Sequence, residues 1–201
     1  MIEIEKLSVG PYDNDCYVVS CSETKRAVII DAAAEASRII RACDGLAVGS
    51  ILTTHGHQDH LGALDEVKSA LDIPWRLHPA DIEIAGRRPD ETLEDGQVIE
   101  FGRVALHAIH TPGHTPGSVS FVFEPADEGD IYVLFSGDTL FPGGPGATRW
   151  DYSDFGQIMD SLEKRLFPRL PDDAIVHPGH GPSTTIGNER PHLGEWRARG
   201  W

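Results

Sequence analysis

Short runs of β-branched residues alternate with polar turns along the first part of the chain. Residues 3–9 alternate polar with apolar positions, and residues 16–20 and 27–30 form two further β-branched runs. This pattern predicts three successive strands, the last of them buried. Residues 33–43 contain helix-forming residues with apolar positions at helical spacing, and Gly45 follows as a stop signal, so the pattern predicts a helix there.

The middle of the chain repeats this order of strand and helix. Residues 50–54 predict a strand, and residues 61–71 predict an amphipathic helix that ends near Asp72 and Pro74. The polar, turn-rich stretch 87–97 separates these elements from the rest of the chain.

The second half predicts another group of strands. Residues 104–109, 118–123 and 131–135 are the candidates, and the acidic stretch 124–130 is expected to be an exposed hairpin connection. A glycine- and proline-rich loop leads to a predicted helix over residues 153–167, and residues 174–176 predict a closing strand. The order of elements predicts one domain over residues 1–201 with an α/β fold, in which two sheets pack together and helices lie outside.

Composition narrows the function classes. The chain has 201 residues, 40% of them apolar, and 32 acidic against 17 basic residues give a net charge of −15. This charge disfavours nucleic-acid partners. Cys16, Cys21 and Cys43 are odd in number and lack metal-binding spacing, so we expect reduced, structural thiols. The start resembles no signal peptide and no apolar stretch reaches membrane-spanning length, so we expect a cytoplasmic protein without membrane contact.

Four potential metal ligands follow the strand predicted over residues 50–54: His55, His57, Asp59 and His60. Residues two apart in extended backbone point the same way, so His55 and His57 can bind one ion together. Asp59 and His60 fall where the chain turns into the next helix, which directs them toward a neighbouring position. This loop therefore predicts ligands for two metal ions.

Three further candidate ligands lie at the ends of predicted strands. They are His114 within residues 110–118, Asp138 within 136–140 and His180 within 178–182, each in a segment rich in glycine or proline. Glycine permits close backbone approach, and proline lowers the entropy cost of fixing a loop. Imidazole and carboxylate ligands without thiolate suit zinc, manganese or iron.

Together these motifs resemble those of the metallo-β-lactamase superfamily, and the whole chain is similar to its glyoxalase II-like branch. The resemblance implies an αββα sandwich of two mixed β-sheets with helices on the outer faces. It implies that the first metal ion is bound by His55, His57 and His114, and the second by Asp59, His60 and His180. It further implies that Asp138 bridges the two ions and that Asp31 orients a ligating imidazole. Asp59 and Asp138 are the predicted catalytic carboxylates. Residues 32–34 are alanines where the family has a glycine-rich turn, so the shape of that loop is expected to differ.

The resemblance implies two divalent metal ions, with zinc first and iron or manganese as alternatives, that activate a bridging hydroxide. The predicted reaction is hydrolysis of a small-molecule thioester, such as a 2-hydroxyacyl conjugate of a thiol. Full glyoxalase II proteins carry an added helical domain after the His180 motif, which helps to bind glutathione. This chain is therefore expected to have a more open or differently built pocket, and the identity of the thiol carrier is left open. A mononuclear iron persulfide dioxygenase and a lactone or β-lactam hydrolase are the alternatives. A structural zinc protein and a nuclease are disfavoured, and the sequence leaves the oligomeric state open.

Several other residues have competing interpretations. Asp31 could instead cap the helix predicted from residue 33. Three residues after the glycine-rich loop could line a substrate pocket, pack in the core or lie exposed: Arg149, Trp150 and Tyr152. We expect packing or interface positions for Trp196 and Trp201. Ordinary polar or packing roles are expected for the remaining histidines, which are His78, His107, His110, His177 and His192.

Overall fold

Two six-stranded sheets face each other in the computed structural model, which describes residues 1–125 and 131–200. The first sheet contains, in spatial order, β1 (Ile2–Val9), β2 (Asn14–Cys21), β3 (Arg26–Ile30), β4 (Ala47–Leu52), β5 (Trp75–Leu77) and β6 (Glu91–Thr92). Strands β1 to β3 pair antiparallel, whereas β3 to β6 pair parallel. The carboxyl ends of β3, β4 and β5 therefore lie at one edge of this sheet.

The second sheet is also mixed. Its strands are β7 (Val98–Phe101), β8 (Val104–His110), β9 (Val119–Phe123), β10 (Val133–Gly137), β13 (Ile175–Pro178) and β14 (Thr184–Thr185), in the spatial order β14-β13-β10-β9-β8-β7. Only the β10–β13 pair is parallel among these neighbours. A small hairpin of β11 (Leu140–Phe141) and β12 (Gly144–Pro145) projects beyond β10.

Helices cover the outer faces of both sheets. They are α1 (Ala36–Ala42), α2 (Leu64–Leu71), α3 (Ile82–Ala85), α4 (Phe155–Asp160), α5 (Ile186–Glu189) and α6 (Leu193–Arg199), and α4 continues as a π-helix over Ser161–Leu166. Residues of α1 and α2 share a core with the first sheet, and residues of α4, its π-helical continuation and α6 share a core with the second. The predicted αββα sandwich is thereby confirmed.

The alternation of side chains along β2 shows how the sequence builds these layers. Val18 belongs to the core under α1 and α2, whereas Tyr17 and Val19 belong to the core between the sheets. Because successive side chains of a strand point to opposite faces, a strand covered on both faces must be apolar at every position. All eight residues of β2 are buried accordingly.

The element boundaries differ from the predicted ones for local reasons. Helix α1 begins at Ala36 rather than residue 33 because Asp31 and Glu35 adopt left-handed backbone with φ of 57° and 54°. Helix α2 begins at Leu64, after a 3₁₀ turn over Gln58–His60. The short strands β5 and β6, which the periodicity did not predict, form by pairing with longer neighbouring strands. The closing strand predicted over residues 174–176 corresponds to β13, which lies inside the second sheet, between β10 and β14.

Some predictions fall outside the described part of the chain. Most of the predicted acidic connection over residues 124–130 lies there, because residues 126–130 are not described, and so does Trp201. Trp196 is buried in the core under α6, in agreement with a packing role. Cys16, Cys21 and Cys43 are free and buried. Within residues 1–125 and 131–200, the helices lack the length and apolar character needed to cross a bilayer.

Candidate metal centre

The loop after β4 presents four of the predicted ligands. The backbone is extended at His57 (φ −66°, ψ 142°) and then turns into the 3₁₀ segment Gln58–His60. The extended part points His55 and His57 the same way, so that His55 Nε2 lies 3.0 Å from His57 Nδ1. The 3₁₀ turn directs Asp59 and His60 toward a neighbouring position.

A first group of ligand atoms forms where His114 meets this loop. His114 follows β8 and its Nε2 lies 3.1 Å from His57 Nδ1. The ligand atoms of His55, His57 and His114 lie within 4.8 Å of one another. His55 and His114 are almost fully buried, with exposed fractions of 1% and 2%. These three imidazoles can therefore bind one ion.

A second group forms beside it from Asp59, His60 and His180. His60 Nε2 lies 3.3 Å from His180 Nε2, and Asp59 Oδ2 lies 3.5 Å from His180 Nε2. His180 belongs to the loop after β13, so the two sheets each contribute ligands to this group. These three side chains can bind a second ion.

Asp138 lies between the two groups. Its Oδ1 is 3.6 Å from His60 Nε2, and its Oδ2 is 3.6 Å from both His114 Nε2 and His180 Nε2. Oδ1 is buried and has no hydrogen-bond partner among the described residues. A buried carboxylate oxygen without a partner is costly, and a cation at either group would satisfy it.

In each of the five imidazoles, the ring nitrogen that faces away from the metal positions contacts a neighbouring oxygen atom. The partners are Thr54 Oγ1 for His55 (3.0 Å), the Tyr152 hydroxyl for His57 (2.8 Å), Asp31 Oδ2 for His60 (2.9 Å), Ala147 O for His114 (2.8 Å) and Tyr12 O for His180 (2.9 Å). Carbonyl and carboxylate oxygens only accept hydrogen bonds, so the outer nitrogens of His60, His114 and His180 carry the hydrogen. When these rings are neutral, their inner nitrogens present lone pairs to the metal positions.

The environment favours neutral imidazole in the first group. Burial, together with the neighbouring His114, lowers the pKa of His57 to about 4. Burial also lowers the pKa of His55 and of His114. Neutral imidazole is the form that binds metal ions. His57 Nδ1 lies about 3 Å from Nε2 of both His55 and His114, and a cation between these nitrogens would accept a lone pair from each neutral ring, so this group suits a metal ion.

His60 shows the attraction of the second group for positive charge. Burial alone would lower its pKa, but the carboxylates of Asp31, Asp138 and Asp59 outweigh burial and raise the pKa of His60 to about 9. A positive charge at this position is therefore favoured, and a divalent cation would supply it. The residues of both groups thus fit the metal pair that the motifs predict.

Asp31 contacts candidate ligands of both groups, directly or through Thr54, and it does not cap helix α1, whose N-cap residue is Glu35. Its Oδ2 faces His60 Nδ1 at 2.9 Å and accepts the hydroxyl of Thr54 at 2.8 Å, while its Oδ1 accepts the Thr54 backbone N–H at 2.8 Å. Because the Thr54 hydroxyl donates to Asp31, it accepts from His55 Nδ1. One buried carboxylate thereby fixes His60 directly and His55 through Thr54.

Asp31→Asn is expected to lower metal occupancy and turnover by about 10–100-fold, the usual effect of losing such a partner. The new amide group can donate to His60 Nδ1, which favours the tautomer with hydrogen on Nε2, the atom that faces the metal position. Elemental analysis and kcat measure the effect. Asparagine tolerates the left-handed backbone of this position, so unfolding is not expected. Unchanged metal content and rate would contradict the orienting role.

An aromatic surface adjoins the first group. The Trp150 ring lies 4.7 Å from the ring of His57 and is parallel to Tyr152, with 6.1 Å between their centroids. The Arg149 guanidinium lies over Trp150 at 4.9 Å. Tyr152 is 39% exposed although its hydroxyl contacts His57. Trp150 and Tyr152 therefore lie beside the first group, and Arg149 lies against Trp150.

Sequence reasoning missed Asp81 and Asn14, two buried polar residues that contact the ligand loops. Asp81 follows the short strand β5, which the periodicity did not predict, so the sequence carried no local signal for its role. The histidines assigned to ordinary roles lie outside the two groups in the described structure. His78 and His110, for example, stack on each other with 4.2 Å between their rings.

Comparisons with known proteins agree with this fold. The sequence profile of the Metallo-beta-lactamase superfamily matches residues 9–180. The chain is 31% identical to the hydroxyacylglutathione hydrolase GloC of Haemophilus influenzae, over 94% of this chain and 95% of that protein.

Two solved structures show the same fold. The BLEG-1 B3 metallo-beta-lactamase is 33% identical with a TM-score of 0.82, covering 95% of this chain and 98% of that one. TTHA1623, solved in a di-iron-bound form, is 36% identical with a TM-score of 0.78, covering 92% of this chain and 96% of that one.

Proposed function

Because the chain belongs to the metallo-beta-lactamase superfamily of metal-dependent hydrolases, we propose that it is a binuclear metallohydrolase that cleaves small-molecule thioesters. The observation that carries the proposal is the meeting of two ligand groups across Asp138. Similarity to a hydroxyacylglutathione hydrolase over nearly the whole of both chains supports the substrate class.

The ligand set supports hydrolytic chemistry. Five imidazoles and two carboxylates would hold two divalent ions. Zinc is the metal that we expect, and iron and manganese are the alternatives. Such ions would supply Lewis-acid activation of water and of a substrate carbonyl. The chain itself fixes the ligands from outside through Asp31, Thr54 and backbone carbonyls, so little reorganisation is needed when a substrate binds.

A cavity beside the second group offers space for a substrate. It has a volume of about 780 Å³ and is lined by the loop of β11 and β12, by His180 and by Arg199 at the end of α6. This volume lies in the range of small-molecule sites. A thioester whose carbonyl lies between the two ligand groups could extend its thiol portion into this cavity.

The decisive experiment purifies the protein without added metal, determines its metal content and measures hydrolysis of S-lactoylglutathione. We expect about two ions per chain, and loss of activity after treatment with a chelator that added metal reverses. A panel of other acyl thioesters would define the thiol carrier. Oxygen consumption with glutathione persulfide, together with a single iron per chain, would replace this proposal by the persulfide dioxygenase alternative.

Hydrolysis of β-lactams is the second candidate, because BLEG-1 shares 33% identity and 95% coverage with this chain. Both reactions require an activated water and a polarised carbonyl. A chromogenic cephalosporin assayed beside the thioester would rank the two activities by kcat/KM. A higher value for the cephalosporin would assign the chain to β-lactam hydrolysis.

A further inference from the structure

The first ligand group is held in place by Asp81, which is completely buried. Asp81 Oδ2 accepts the backbone N–H of Gly56, between His55 and His57, at 2.7 Å. The same oxygen accepts the hydroxyl of Thr115, the residue after His114, at 2.7 Å. One carboxylate thus joins the two loops that supply the first group.

Steric fit strengthens this connection. Asp81 Oδ1 accepts the N–H of Gly117 at 2.6 Å, and a Cβ at Gly117 would lie 2.7 Å from Asp81 Cγ. A Cβ at Gly56 would lie 2.8 Å from the backbone oxygen of Asp81. Both loops therefore contact Asp81 so closely that only glycine fits, and this carboxylate connects the two loops that carry the three imidazoles.

The second ligand group is held by a different part of the chain. Asn14, the buried first residue of β2, donates from Nδ2 to Asp59 Oδ2 at 3.0 Å, and the same Nδ2 lies 3.5 Å from His180 Nε2. The Asp15 backbone N–H donates to Gly179 O at 2.7 Å, and Tyr12 O faces His180 Nδ1 at 2.9 Å. The β1–β2 hairpin therefore positions the ligands of the second group.

From this separation we infer that Asp81 and Asn14 are positioning residues, each of which sets the metal affinity of one position. Asp81 acts on the position of His55, His57 and His114, and Asn14 acts on the position of Asp59 and His180. The inference rests on the proposed two-metal site. It adds that the metal affinities of the two positions can be changed independently. The reason is that Asp81 contacts the chain beside His55, His57 and His114, whereas Asn14 contacts Asp59 and His180.

The test measures metal affinity one position at a time. His180→Ala leaves the first group intact, and His114→Ala leaves the second group intact. Zn²⁺ is titrated into each metal-stripped protein against a chromophoric chelator, with no activity assay involved. In the His180→Ala background, Asp81→Asn should weaken Zn²⁺ binding by about 10–100-fold and Asn14→Ala should change it less than about threefold. In the His114→Ala background, Asn14→Ala should weaken Zn²⁺ binding by about 10–100-fold and Asp81→Asn should change it less than about threefold.

The inference would be overturned if either variant weakened Zn²⁺ binding equally in both backgrounds. It would also be overturned if Asp81→Asn left the affinity unchanged in the His180→Ala background, or Asn14→Ala in the His114→Ala background. A parent chain that binds no Zn²⁺ would instead overturn the proposed function, so the two failures are distinguishable. Circular dichroism checks the folding of each variant. If Asp81→Asn does not fold, Thr115→Val removes one of its hydrogen bonds at nearly constant shape. If Asn14→Ala does not fold, Asn14→Leu removes the amide and keeps the volume, and the same crossed pattern is expected.

Discussion

Asp138→Ala is expected to abolish turnover while the fold is largely retained. Asp138 places one oxygen 3.6 Å from His60 Nε2 and the other 3.6 Å from His114 Nε2, so its loss would remove a candidate ligand from both groups. Partners that only orient metal ligands cost about 10–100-fold when they are removed. Loss of a shared ligand should therefore lower kcat/KM by more than about 100-fold, as measured with the thioester and with elemental analysis.

The fold of the alanine variant should survive because little internal hydrogen bonding is lost with the Asp138 side chain. Its Oδ1 has no hydrogen-bond partner among the described residues, so alanine removes a buried charge instead of breaking an internal bond. Asp173→Ala, at an exposed position before β13, is the matched control and should keep the parent rate. A rate for Asp138→Ala close to that of this control would refute the bridging role.

The fold could be predicted where a segment carries its own periodicity. Strands β1 to β3 and β8 to β10 follow β-branched runs, and the helical pattern after residue 153 corresponds to α4. The short strands β5 and β6 could not be predicted in this way, because three and two residues contain no measurable period and exist only through pairing with longer neighbours.

The candidate site was predictable to a different extent. Its seven candidate ligands lie in short motifs that are visible in the sequence, and the structure brings their side chains together. The groups that hold the ligands in place carry no comparable signal. Asp81 contacts Thr115, which lies 34 positions away, and Asn14 contacts Asp59, which lies 45 positions away. Such contacts depend on how the two sheets meet, and a single sequence does not encode that relation locally.

Gly179→Ala should inactivate the protein through one added methyl group. A Cβ at this position would lie 2.2 Å from Asp138 Oδ1 and 2.8 Å from His60 Cε1. Both contacts are far below van der Waals separation, so the side chains of Asp138 and His60 must shift. A misplacement of about 1 Å in a catalytic site can cost on the order of 100-fold in rate. We expect a loss of this size in kcat, with reduced metal content.

Gly181→Ala is the matched control on the other side of His180. Its φ of +76° makes alanine strained, but no atom lies within 4 Å of the added Cβ. The free energy of unfolding should therefore fall by about 1–2 kcal/mol while kcat changes little. Gly179 does not have a positive φ, so the opposite pattern is expected there, with activity lost more than stability. Equal activity losses in the two variants would show that backbone strain, and not contact with Asp138, explains the effect. The contrast between the two glycines therefore separates the geometry of the metal centre from the general stability of its loop.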